Sequence, residues 1–503
     1  MTPPALVGTA DPAATGFDGR PERRLWIFLA LSLLVIGALV VLDGQANLVL
    51  GVVVAGLVLV SYQRVLLAWP TLLGFILVVI LFVPIRRYTV SGNLPFELEP
   101  YRIVIALVLA CWFCALAADP RVRWRRTGFE VPLGALLLSM LLSMAANVER
   151  VSAVSSLVVK NFTFFLSYLL VIYFVVSVVR SRRDLDRMLA LLVGGGAIIA
   201  LAALIEWRTG TNFFGWYSTV VPFLNYIDEG AAQVRGTGIR ARASAQHPIA
   251  LSAALVLLLP LAVYLYQRHR HRIWLACAGL LTLGALSTGS RTGMVMLIGV
   301  GLGFLCIKPG ESVRLIPWLL PMLVIVQVVM PGTLGTMKSI LNPSYVIEEQ
   351  SYDQGATAGR IADIGPALDR WATKPLLGAG FGTTVADPNA PKESEQQILD
   401  NQWLGTLLQV GALGALSLLW LFGLAIARLA RRARAATGAD GWLSAALATS
   451  LLSFALGMLT FDAFGFVQVT FFAFVIIGLG AVVLRSPASA KPRTLHAAVR
   501  LPG

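Results

Sequence analysis

Runs of roughly 15 to 20 apolar residues recur along the chain from Leu25 to Leu484, each about the length of a helix that crosses roughly 30 Å of hydrocarbon. The pattern predicts about fourteen transmembrane helices, at 25–42, 47–61, 66–85, 103–118, 131–146, 157–179, 188–207, 248–266, 273–288, 294–307, 315–330, 402–427, 442–459 and 464–484. Two polar stretches, 208–247 and 331–401, are too long to be simple connections and are read as functional loops. Residues 1–24 mix Pro, Gly and charge without periodicity and are expected to form a mobile cytoplasmic tail; 485–503 form a second tail. Between them, 25–484 is read as one all-α polytopic membrane domain that includes both long loops. No small-residue cleavage pattern follows the first run, so that span is expected to be retained.

Composition agrees with this reading: 57% of the residues are hydrophobic and 13% charged, which is more apolar surface than a soluble domain can bury. The formal charge of +14 would suit nucleic acid, but its placement argues otherwise. The basic residues gather in alternate short loops (Arg121 to Arg126, Arg180 to Arg183, Arg268 to Arg272, Arg428 to Arg434), as positive-inside sorting requires. No basic stripe interleaved with aromatics points to a nucleic-acid partner. An even number of spans then places both termini in the cytoplasm. The two long loops and the turn Gly289-Ser290-Arg291-Thr292-Gly293 fall outside and are expected to assemble one extracytoplasmic site. All four cysteines lie in apolar runs, so no disulfide framework is implied, and the Cys111/Cys114 pair has no nearby histidine and reads as packing.

The candidate chemistry is cationic and carboxylic. Arg291, fixed in a short turn between two spans, stays at the membrane surface, where its guanidinium suits a phosphate; the plain alternative is an interfacial arginine among headgroups. Arg235, Arg240 and Arg242 precede His247 and Pro248, so several cations converge on one helix N-terminus; the alternative is a solvated loop face. Asp400 either caps the helix that begins beside Asn401 or deprotonates a sugar hydroxyl. The run Gly378-Ala379-Gly380-Phe381-Gly382 lacks the strand and helix that flank a phosphate-binding glycine loop and reads as a tight turn. No HExxH, nucleophile elbow, Walker loop or Cys/His cluster occurs, which leaves nucleotide-driven transport and metallohydrolysis unsupported and predicts no cofactor or metal.

Three stretches together resemble the bacterial O-antigen ligase and polymerase superfamily, membrane glycosyltransferases that act on polyprenyl-pyrophosphate-linked glycans outside the cytoplasmic membrane. They are Leu286 to Gly293, then Arg360 through Pro375 to Gly382, then Asp400-Asn401-Gln402-Trp403-Leu404 with Gln409 to Gly414. The resemblance implies a GT-C-like architecture and metal-independent transfer. The donor would be a polyprenyl-pyrophosphate-linked glycan and the acceptor a glycan or a lipid. It implies that Arg291 contacts the pyrophosphate with one of Arg235, Arg240 or Arg242; His247, Arg360 and Asn401 are read beside them as substrate-binding residues and Asp400 as the candidate base. Ligases of the family place a histidine just before the asparagine, where this chain has Asp400. Polymerases often show an arginine followed after ten residues by glycine, a spacing absent from the loop arginines here. Two large loops fit a polymerase, which must hold a donor chain and an acceptor unit, so polymerase is the expected activity. A ligase is the alternative within the family, and a polysaccharide or lipid-linked oligosaccharide transporter the alternative from another class.

Overall fold

The computed structural model describes residues 68–90, 99–120, 122–220, 224–227, 234–235, 238–313, 317, 324, 326–328, 364–383 and 400–486. The tail 1–24, the expected spans 25–42 and 47–61, nearly all of 315–330, most of the loop 331–401 with Arg360, and most of the tail 485–503 lie outside the described residues. Every other apolar run is a helix. They are α1 Trp69–Phe82, α2 Pro100–Ala118, α3 Glu130–Ala146, α4 Ser155–Val178, α5 Arg182–Thr209, α6 Pro248–His269, α7 Ile273–Ser287 and α8 Arg291–Ile307. The loop helix α9 (Ile364–Thr373) follows, then α10 Gln402–Ala435, α11 Gly438–Gly457 and α12 Val467–Arg485. Seven of these are long and apolar enough to cross a membrane, and α1, α3, α7 and α8 are shorter apolar helices. The chain is an all-α polytopic membrane protein.

Local sequence explains several starts. Proline occupies the first turn of α1, α2 and α6, where its missing N–H costs nothing. Ser181 and Asp184 form a reciprocal capping box at α5. The helices sort into an inner and an outer set. In α6 and α12, 83% and 89% of the membrane-spanning part is buried, against 28% in α2, whose Leu107 and Phe113 are exposed. Such an apolar exterior is stable only against lipid. α6, α8, α10 and α12 all pack on α11, α12 also packs on α4, and α10 on α3.

The stretch 208–247 is more ordered than a plain loop. Its strand β2 (Leu224–Tyr226) pairs antiparallel with β1 (Tyr88–Val90), and β3 (Val234–Arg235) pairs with β4 (Gly238–Ile239). The buried Arg87 guanidinium then donates to the carbonyls of Ala243 (2.8 Å) and Ala245 (2.7 Å), which pins the segment leading into α6.

Candidate functional site

The starts of α6, α8, α10 and α12 meet the end of α11 at one end of the bundle, and the turn 458–466 is the knot. Gln402 is buried. Its N–H donates to the carbonyls of Met458 (2.8 Å) and Phe461 (3.1 Å), and its Oε1 accepts from Phe464 N (2.7 Å). Gln246 Nε2 donates to Gly465 O (3.0 Å), and Thr292 Oγ1 donates to Thr460 O (3.3 Å). Three separate stretches of sequence therefore hold one turn, and that turn carries Asp462.

Beside it opens a cavity of about 810 Å³, walled by α4, the first half of α10, the 462–467 segment and the start of α6. Asp400 and Asp462 line it, together with Glu99, His247 and the cations Arg86, Arg150, Lys160 and Arg370. Aromatic rings supply much of the apolar wall, among them Phe165, Phe381 and Phe464, which pack edge to face. Arg86 holds a left-handed backbone (φ 61°), uncommon without glycine, while its N–H donates to Glu99 Oε2 (3.0 Å); the same carboxylate binds Arg102. His247 caps α6 by accepting from Ile249 N at Nδ1 (3.1 Å), which leaves the ring proton of the neutral form on Nε2, and its ring stacks on Phe466.

Asp462 is the group whose electrostatics stand out. Burial pushes its carboxyl up to about 6; the Gly465 amide and Arg86 oppose the rise and Asp400 adds to it. A carboxylate with that affinity is mostly ionised at neutral pH, yet is a better proton acceptor than an ordinary aspartate, as a general base requires.

The expected site residues divide. Asp400 and His247 reach the cavity wall. Asp400 is not the cap of α10: Asn401 takes that role, its Oδ1 accepting from Leu404 N (3.1 Å), because the cap must precede the first helical residue and Gln402 is that residue. Arg240 and Arg291 share a different feature. Arg240 Nε donates to Thr288 O (3.0 Å) in the turn that delivers Arg291 as the first residue of α8. Gly293 seats that turn on α6, since a Cβ there would lie 1.7 Å from Ser252 Oγ. Neither arginine is part of the cavity wall, although the Thr292–Thr460 contact ties their turn to the Asp462 segment. Arg242 is placed by its backbone N–H, which donates to Glu206 Oε2 (3.1 Å), and Arg235 lies in β3. Arg360 is outside the described residues. Asp462 and Arg86 were not among the candidates. A lone acid between the last two spans, and an arginine pair closing an apolar run, were the available signals.

The glycine run after α9 is not a phosphate loop. α10 breaks at Gly411 (φ 75°, ψ −170°), and the break frees the carbonyls of Leu408 and Gln409, which accept from Ala379 N (2.9 Å) and Gly380 N (3.1 Å). In return, Ala412 N donates to Pro375 O (2.8 Å) and Leu413 N to Leu376 O (3.3 Å). Ser143 Oγ also donates to Gln409 O (2.7 Å), while Lys374 Nζ donates to Asn147 Oδ1 (2.5 Å) and Asn147 Nδ2 to Gly378 O (3.1 Å). The tight turn expected here is thus a clasp that fastens the long loop to the broken helix forming one cavity wall.

No curated protein compared with the chain matches it. Residues 276–419, which run from α7 through the Arg291 turn and the clasp into the second half of α10, match the family model described as O-antigen ligase. That match supports an O-antigen ligase/polymerase-like family for the chain.

Proposed function

We propose that the chain is a membrane glycosyltransferase. In this reading it moves a glycan from polyprenyl pyrophosphate to a sugar hydroxyl during assembly of a cell-surface polysaccharide, and acts as a polymerase. The observation that carries the reading is the cavity in which two carboxyls, Asp400 and Asp462, face Arg86, Lys160 and Arg370. Asp462 takes the proton of the acceptor hydroxyl, whose oxygen forms the new bond to the anomeric carbon. The bond from that carbon to the pyrophosphate oxygen breaks, and polyprenyl pyrophosphate leaves with the electron pair. The cations on the wall, with Arg291 on the neighbouring turn and Arg240 bonded to that turn, neutralise the departing charge. No metal is needed for this balance, and the energy comes from the carrier bond. The site end of the bundle faces outward and the termini inward, which accounts for a chemistry independent of nucleotides.

A ligase is the second reading. It is supported by the description of the matching family and by the presence of His247 on the cavity wall. Purified protein in detergent given only the lipid-linked glycan is expected to lengthen it. Transfer that occurs only after a lipid or cell-wall acceptor is added favours the ligase, and no transfer under either condition favours a transporter. Arg291→Ala is expected to shorten the polymer and to cause lipid-linked units to accumulate in membranes at matched protein levels; an unchanged product removes Arg291 from the mechanism.

A further inference from the structure

The starts of α4, α10 and α12 wall the cavity, so their ends lie at the opposite end of the bundle, where they meet the loop that follows α2. Three bonds fasten that loop. Arg485 donates to Arg126 O (2.5 Å), Arg428 to Gly128 O (2.7 Å) and Ser177 Oγ to Arg123 O (3.2 Å). The fastening gathers arginines. Arg123, Arg125, Arg126 and Arg485 are exposed, and none of the four forms an ion pair with a carboxylate among the described residues. Asp119 and Glu130 flank the loop, but Glu130 is engaged by the amides of Thr127 and Gly128. Arg125 sits in the middle of this positive charge. Partial burial first, and then Arg180, Arg485 and Arg123, lower its proton affinity below the usual arginine value, although the group stays charged. Like charges held together in this way favour an anion among them.

Between Arg123 and Arg125 stands Trp124. Its ring lies on Tyr173 of α4 (centroids 4.4 Å apart) and stacks on Trp112 of α2 (5.5 Å), yet the residue is 49% exposed. Phe113, 5.1 Å from Trp112 and itself exposed, continues this aromatic ledge onto the outer face of α2. A half-exposed tryptophan at the end of an apolar helix suits the level of lipid headgroups. The two features together specify one ligand. A free phosphate or an acidic peptide would use the arginines and leave the ledge bare, and a neutral lipid would cover the ledge without meeting the charge. We propose that this end of the bundle binds an anionic phospholipid, its headgroup phosphodiester on Arg123, Arg125 and Arg485 and an acyl chain along Trp124 and Phe113. The bound phosphate offsets the repulsion among the cations that gather at the loop, so the lipid strengthens the joint between the loop and the helix ends. The site stands apart from the cavity and does not depend on the reaction proposed there.

The test uses the full-length protein in a neutral detergent, with phosphatidylglycerol added as mixed micelles and with phosphatidylcholine or inorganic phosphate at the same concentration in parallel. Phosphatidylglycerol is expected to stay bound in native mass spectrometry and to raise the melting temperature, and the other two to do neither. The side chain of Arg125 makes no hydrogen bond among the described residues, so Arg125→Gln removes charge without removing a structural contact. It is expected to weaken phosphatidylglycerol binding about fivefold, the scale of one arginine beside an anionic headgroup, while Arg125→Lys keeps most of the binding. Arg272→Gln is the control. It makes the same charge change at the same end of the bundle, just before α7, and is expected to leave binding unchanged. Equal binding of phosphatidylcholine, or a free phosphate that reproduces the thermal shift, overturns the lipid site. Equal losses in Arg125→Gln and Arg272→Gln overturn it as well, because the attraction would then belong to the whole basic face.

Discussion

Asp462→Asn is expected to lower the transfer rate by about a hundredfold to ten-thousandfold, the usual contribution of a positioned general base. The variant keeps the shape of the side chain and its place beside Gly465, so the loss reads on proton transfer more than on folding. The pH profile gives a second, independent check. The Asp462 carboxyl is pushed up to about 6, so it is protonated and inactive below that pH and ionised above it. Activity of the unaltered protein therefore rises with pH to about 6 and then levels, and the acid limb disappears in the asparagine variant. Asp400→Asn removes a negative neighbour and moves the limb to lower pH, while Arg86→Ala removes a positive one and moves it higher. An acid limb that survives in Asp462→Asn assigns the base to another group, with Asp400 or His247 next in line.

The spans were legible because the bilayer imposes a length on any helix that crosses it, and each apolar run that falls among the described residues is a helix. The break at Gly411 was not legible. In sequence Gly411 is one small residue in an apolar run, and its positive φ follows from Pro375 to Gly380 lying alongside, about thirty residues away in the chain. The same holds for the site. Asp400 and His247 stood out because each precedes an apolar run, and both reach the cavity. Asp462 and Arg86 carry no such sequence signal, because what distinguishes them is a shared place on the cavity wall, which arises only when the elements that line it converge. Arg291 and Arg240 were read as near neighbours of the same site. The structure bonds Arg240 to the turn that carries Arg291 but lines the cavity with other cations.

Gly411→Ala is expected to be the most damaging small substitution in the described chain. The backbone there has φ 75° and ψ −170°, a region essentially reserved for glycine, and holding alanine in it costs about 1 to 3 kcal/mol. Space is a second obstacle: the added Cβ would lie 2.2 Å from Leu376 O and 2.3 Å from its carbonyl carbon, both backbone atoms with no rotamer to change. Such overpacking adds about 1 to 3 kcal/mol. Gly378 faces the same interface from the other side, where a Cβ would sit 2.6 Å from Leu408 O, Gln409 C and Gly411 N. Either change opens the clasp and loosens the half of α10 that carries Gln402, so thermal stability in detergent and transfer activity are expected to fall together. Gly423→Ala is the control, since it lies on the same helix with nothing within 4 Å of the new methyl and is expected to leave both unchanged. Because Gly378 and Gly411 close on each other, the double variant should lose less than the sum of the two single losses. Additive losses would mean that the two glycines support the fold separately and that the clasp is not one unit.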